Sequence, residues 1–191
     1  MRSRTTTLFA FLVLTLAVPP AFAVSIEGVN VPDSITVADA PLVLNGAGVR
    51  KRFFVKVYVG ALYLPAKQTT TAGVLAANGP KSVRLHFLYK ELEAKKLTDA
   101  WTDGFKNNNS DAEFKALGAR LDQFNGFFRS VKQGETIFVD LLPSGETRVV
   151  INTETRGSVT GADFQQALLK IWLGDDPADA DLKRAMLGSQ E

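Results

Sequence analysis

Residues 42–64 read LVLNGAGVRKRFFVKVYVGALYL. Two alternating runs flank Asn45-Gly46-Ala47-Gly48, whose glycines permit the positive φ of a tight turn, so the stretch is expected to form two strands joined there. In the longer second strand Phe53, Val55, Val57, Val59 and Ala61 share one face. Arg52, Phe54, Lys56, Tyr58 and Leu62 share the other, and one of the two faces is expected to be core.

The neighbouring segments extend this pattern. In residues 82–89, Val83, Leu85, Phe87 and Tyr89 alternate with Ser82, Arg84, His86 and Leu88, which predicts a strand with Tyr89 on its apolar side. Two helices should follow. The first, over residues 91–106, carries Leu97, Ala100, Trp101, Gly104 and Phe105 on one face and is broken by Asn107-Asn108-Asn109. The second opens at Ser110, with Glu113 three positions later as its reciprocal cap, and continues through a stripe from Phe114 to Val131. After Gly134 the period returns to two. Residues 135–142 and 146–152 read as a hairpin turned by Pro143-Ser144-Gly145. Residues 162–173 form an amphipathic helix closed by Gly174, and a short helix with Leu182 and Met186 ends at Gly188. Strands first, helices grouped later, and no βαβ alternation together predict an α+β domain built on an antiparallel sheet.

The N-terminus reads as an export leader. Arg2 and Arg4 precede an uncharged apolar run from residue 8 to residue 18, followed by Pro19-Pro20 and Ala21-Phe22-Ala23. That run is shorter than the ~18–20 residues needed to cross a bilayer, so cleavage after Ala23 is expected, with no membrane span remaining. Removing 23 of 191 residues leaves 168, a suitable size for one domain over residues 24–191. The leader holds two of the 22 Lys and Arg residues and none of the 20 Asp and Glu residues, so the remainder has 20 of each and zero formal charge. Nucleic acid is therefore not an expected partner. The expected location is outside the cytoplasm, in the periplasm.

There is no cysteine and one histidine, His86, which removes thiol nucleophiles, Cys-His dyads and structural zinc sites from consideration. No cofactor or metal is expected. Gly46-Ala47-Gly48 departs from a dinucleotide fingerprint, because Lys51 occupies the third glycine position and a strand follows. The acidic run from Asp175 to Asp181 lacks the glycine and glutamate of a calcium loop, and Asp179 or Asp181 reads instead as a helix cap. His86 lies on the more polar strand face beside Arg84, where a solvated or hydrogen-bonded imidazole is the default and a metal or haem ligand the alternative. Arg50, by composition alone, belongs to a solvated Arg50-Lys51-Arg52 cluster.

Leu44-Asn45-Gly46-Ala47-Gly48-Val49-Arg50, together with Phe54-Val55-Lys56-Val57-Tyr58-Val59-Gly60-Ala61-Leu62-Tyr63-Leu64, resembles the signature of the chalcone isomerase superfamily. Trp172-Leu173-Gly174 and Leu187-Gly188 are similar to its bacterial exported branch, and the resemblance runs from about residue 40 onward. It implies an open-faced β-sandwich: an antiparallel sheet packed with helices around a ligand cleft. Arg50 matches the arginine that binds anionic substrate in the plant enzyme, and Tyr89 matches its tyrosine. Tyr58 stands where that enzyme has threonine, and Gln165 falls near its last hydroxyl position.

The family also contains non-catalytic fatty-acid-binding members that use the arginine with a tyrosine. The resemblance therefore implies a protein that binds a small amphipathic carboxylate such as a fatty acid, with Arg50, Tyr58, Tyr89 and Gln165 as ligand-binding residues and none catalytic. An intramolecular lyase of the chalcone isomerase type is the alternative, using Arg50 to stabilise developing negative charge. Haem binding through His86 is a third reading, and a partner-binding module with a filled cleft is a fourth.

Overall fold

The computed structural model describes residues 23–188. The leader expected over residues 1–23 thus lies, except for Ala23, outside the described residues. Eleven strands and five helices follow in chain order. A first hairpin, β1 (Ala23–Ile26) and β2 (Val29–Pro32), stands apart as a small sheet. The main strands are β3 (Ser34–Val37), β4 (Ala40–Arg52), β5 (Val55–Leu64), β6 (Lys81–Phe87), β9 (Thr136–Leu141), β10 (Glu146–Ile151) and β11 (Glu154–Thr160). They form one antiparallel sheet in the order β11-β10-β9-β6-β5-β4-β3. The short strands β7 (Glu91–Leu92) and β8 (Val131–Lys132) pair with each other, and α1 (Thr71–Ala76) links β5 to β6. The remaining helices are α2 (Ala94–Asn107), α3 (Asp111–Asn125), α4 (Ala162–Leu173) and α5 (Ala180–Met186). The α+β reading with an antiparallel sheet holds.

The helices cover one face of the sheet, where Leu62, Leu85, Val139 and Val149 meet Phe105, Leu121, Phe164 and Ile171. On the opposite face Val59, Ala61 and Tyr63 pack with Val31, Val37 and Leu42 beneath the first hairpin. Every residue of β5 from Val57 to Leu64 is therefore buried, on both faces. This corrects the expectation of one core face: a central strand covered on both sides becomes nearly continuous in apolar character.

The turn between β4 and β5 also lies elsewhere than expected. β4 runs unbroken through Asn45-Gly46-Ala47-Gly48, and the chain reverses at Phe53-Phe54, with Phe53 at φ 54°. The glycines instead make a groove for α5. A Cβ on Gly46 would overlap the Ala185 carbonyl oxygen, and one on Gly48 would lie 2.6 Å from the Ala185 Cβ. Asn45 is buried beside this groove. Its Nδ2 donates to the carbonyls of Gln68 at 2.9 Å and Met186 at 2.6 Å, and its Oδ1 accepts from Gln68 N at 2.7 Å. A buried amide satisfied on both ends holds the C-terminal helix to the sheet.

Helix termini follow their local signals. Ser110 and Glu113 cap α3 reciprocally, Asp179 Oδ1 accepts from Leu182 N at 2.9 Å to start α5, and α4 has the expected limits. The stripe expected to continue to Val131 ends earlier, since α3 stops at Asn125 and Val131 enters β8. Residue 89 is also corrected. β6 stops at Phe87, and Tyr89 lies beyond it, 43 % exposed, rather than on an apolar strand face.

Candidate functional site

The site begins at an irregularity in the β4–β5 pair. Arg50 opposes Tyr58, but Lys51 opposes Lys56, so Val57 is an extra residue in β5. Such a bulge re-aims the side chains around it. The carbonyl of Val57 then accepts from both Leu88 N and Tyr89 N, at 2.9 and 3.2 Å, which pins the segment after β6 against the bulge. Arg50, Val57, Tyr58 and Tyr89 consequently line one cavity of about 350 Å³.

Helices supply the other walls. In α2, Leu97 and Trp101 are one helical turn apart and face inward, and Ile171 enters from α4. The two helices pack closely because Gly104 of α2 leaves room for Ile171, whose Cγ2 would lie 3.0 Å from a Cβ there. The Trp101 and Trp172 rings are 5.4 Å apart between centroids, and Tyr58 packs edge-on against Phe87 at 5.6 Å. The inner end is thus aromatic and fixed.

At this inner end the polar side chains of Arg50, Tyr58 and Trp101 bring donors, while the acceptors Glu91 and Glu93 line the cavity elsewhere. The Arg50 guanidinium carbon lies 5.6 Å from the centre of the Tyr58 ring, and the buried Nε has no hydrogen-bond partner among the described residues. The indole nitrogen of Trp101 is likewise buried and unpaired. Tyr58 accepts through its phenolic oxygen from Trp172 Nε1 at 3.0 Å, and no acceptor on the described chain takes its own proton. Burial pushes the Tyr58 hydroxyl well above its ordinary value, with Arg50 and the Trp172 hydrogen bond opposing in part. It is therefore a neutral donor at physiological pH. Leaving such donors unpaired costs about 1–3 kcal/mol each, so the cavity favours a guest that brings an acceptor. Glu91, Glu93 and Lys96 sit among its lining residues, and Glu93 pairs with Lys96 at 3.0 Å.

Three of the four expected ligand residues, Arg50, Tyr58 and Tyr89, share this cavity. Gln165 does not. Its Nε2 donates to the carbonyls of Leu142 and Glu146, at 3.1 and 2.9 Å, and ties α4 to the β9–β10 turn. His86 also lies apart, bordering a second cavity of about 480 Å³ between the sheet and the β1–β2 hairpin, where burial lowers the affinity of its imidazole for a proton. No group of three or more potential metal-ligating side chains occurs among the described residues. Trp101 is the residue that the sequence placed only in a core stripe. Its indole N–H is the sole signal that a purely apolar role was incomplete.

Comparison with solved structures finds the same fold in the Arabidopsis thaliana fatty-acid binding protein, with a TM-score of 0.71 and 18% sequence identity over 87% of this chain and 96% of that one. No curated protein matches the chain by sequence. The sequence model described as chalcone isomerase-like matches residues 23–188, all of the described residues. With the sheet, the helical cover and the arginine-lined cavity in place, the chain belongs to the chalcone isomerase-like family.

Proposed function

We propose that this is an exported family member that binds a small amphipathic carboxylate, such as a fatty acid, with Arg50 as its anion anchor. The observation that carries the reading is the donor excess: Arg50, Tyr58 and Trp101 each bring a donor that no acceptor of the described chain uses. A carboxylate can accept paired hydrogen bonds from a guanidinium and further bonds from the phenol and indole. Val57, Leu97 and Ile171 supply apolar wall for a chain of methylenes.

The two parts of such a ligand contribute unequally. The charged hydrogen bonds are worth about 1.5–3 kcal/mol, whereas each buried CH₂ is worth about 0.8, so a ten-carbon tail gives roughly 8 kcal/mol before the costs of association. The tail then supplies affinity and Arg50 supplies orientation. The ligand class is the one named for the Arabidopsis protein that shares the fold. Export rests on the charged, apolar and small-residue parts of the N-terminal sequence.

Native mass spectrometry after mild purification tests the binding reading. Adducts of fatty-acid mass, diminished in Arg50→Ala, are expected. A clean apo mass, together with no fatty-acid binding that Arg50→Ala weakens, would overturn it. The same donors would also suit the anionic oxygen of a cyclising chalcone, so a rate above the spontaneous cyclisation would favour the isomerase reading. N-terminal sequencing of periplasmic protein should begin at Val24, and an intact Met1 would refute export by leader cleavage.

A further inference from the structure

The turn that replaces the expected glycine turn carries the most exposed large hydrophobic side chains in the described structure. Phe53 is 88 % exposed and Phe54 fully exposed, with Val55 and Tyr89 half-exposed beside them. Phe53 adopts a left-handed backbone that a bulky residue enters only at a cost, and no packing within the described chain repays it. Two phenylalanines held out on a hairpin tip call for an apolar environment beyond the chain.

The chain that forms the tip is basic, although Asp179 Oδ2 accepts from the Lys51 backbone N–H at 2.8 Å and Glu91 and Glu93 line the cavity beside it. From Ala40 to Lys90 there is no Asp or Glu, while eight Lys and Arg residues occur, four of them at positions 50, 51, 52 and 56. Lys56 is paired with Glu27 at 2.6 Å, but the side chains of Lys51 and Arg52 have no acidic partner among the described residues. Asp99, Asp103 and Asp176 line a depression that Arg52 and Phe53 also border, so the unpaired basic side chains of the tip are Lys51 and Arg52 at its crest.

We propose that the Phe53-Phe54 tip is a peripheral docking element for an anionic lipid surface, with Lys51 and Arg52 at headgroup level and the phenyl rings below it. The shape favours a bilayer over a protein partner. A protein interface needs about 1,200–2,000 Å² of matched surface, whereas a two-residue convex tip offers little area but can enter the acyl boundary. The charge also fits, because basic side chains flanking apolar ones are drawn to anionic headgroups. Arg52, Phe53, Val55 and Tyr89 belong to the rim of the Arg50 cavity, so docking turns its mouth toward the lipid. Docking stands on the tip alone; exchange of a fatty acid with the bilayer rests on the binding reading above.

The absence of cysteine makes the test direct. An environment-sensitive fluorophore is attached at Phe54→Cys and, as a control, at Ser144→Cys, an exposed site at the opposite end of the sheet by strand register. Each protein is mixed with phosphatidylcholine vesicles with and without phosphatidylglycerol. The dye at position 54 should brighten and shift to the blue with anionic vesicles and reverse in high salt, while the dye at 144 stays unchanged. Sedimentation with the same vesicles should show Phe54→Ser partitioning about tenfold more weakly than the unaltered protein, with an unchanged melting curve. A further loss is expected when Lys51→Glu is added. No spectral change at position 54, or equal changes at both positions, would overturn docking. So would a dimer that Phe54→Ser dissociates while vesicle binding persists. If the tip docks but the protein takes no fatty acid from solution, the binding reading fails and docking stands. If both hold, Phe54→Ser should slow fatty-acid transfer from vesicles while leaving uptake from solution intact.

Discussion

Trp172 donates its indole N–H to the phenolic oxygen of Tyr58 at 3.0 Å, joining α4 to β5 directly behind Arg50. Both rings are buried, so Tyr58→Phe leaves a buried donor without a partner. The loss should be about 1–3 kcal/mol of unfolding free energy by urea titration. In a cycle with Trp172→Phe, the two changes should couple by about 1 kcal/mol. Fully additive effects would show that the bond has no stabilising role.

Arg50 and Trp101 should separate binding from stability. Arg50→Ala is expected to weaken fatty-acid binding by about 10- to 150-fold, and Arg50→Lys should restore only part of it, because an ammonium lacks the planar fork. Trp101→Phe removes an indole N–H that has no partner in the described chain. Apart from the packing change, apo stability should then hold or rise by up to about 1–3 kcal/mol, while binding weakens measurably in calorimetry.

The groove beneath α5 makes Gly46 and Gly48 intolerant of any side chain. Gly46→Ala places a methyl on the Ala185 carbonyl and should cost roughly 2–3 kcal/mol. Gly118 provides the contrast. It lies within α3 with open space around it, so Gly118→Ala should stabilise by up to about 1 kcal/mol. Thermal denaturation of the two variants reads opposite signs.

Alkaline stability should be limited by buried tyrosines. Burial raises the Tyr63 hydroxyl to about 12, and Tyr58 is raised by burial as well. Unfolded tyrosines ionise near 10, so this contribution is complete below about pH 10 and disappears for Tyr63 as pH approaches 12. Ultraviolet titration should show delayed ionisation that appears together with unfolding. Tyr63→Phe also loses a hydrogen bond to the Pro32 carbonyl but should flatten the alkaline limb.

The acid limb has its own reporter. Glu135 is held down to about 2, chiefly by hydrogen bonds from Arg129 and also by those from Lys132 N and Asn152. Its contribution is present above about 4.5 and is lost as pH falls toward 2. Glu135→Gln should therefore reduce stability near neutrality and make urea midpoints less sensitive to acid.

The sequence was most legible where local chemistry and tertiary use agree. The capping box at Ser110, the 162–173 helix and the Pro143-Ser144-Gly145 hairpin each form as their residues indicate. It misled where one residue type has two uses. Glycine at 46 and 48 marks close approach rather than a turn, Asn45 is a buried latch, and the real turn carries Phe53-Phe54, which has no turn chemistry. β11 went unread because Arg156, Gly157 and Ser158 give no alternation, as an edge strand allows. For the site, Arg50, Tyr58 and Tyr89 could be grouped in advance, but Trp101 could not. An unpaired donor is defined by what is missing around it, which spacing does not encode.

The latch between Asn45 and Met186 joins positions 141 residues apart. Loop closure over such a distance is slow, and contacts of this kind lengthen folding. During synthesis the groove of Gly46 and Gly48 therefore stays vacant until residue 186 has left the ribosome, with the central strands already made but unsealed. The last described helix acts as the keystone of the sheet, and the chain remains open to chaperones until that keystone arrives.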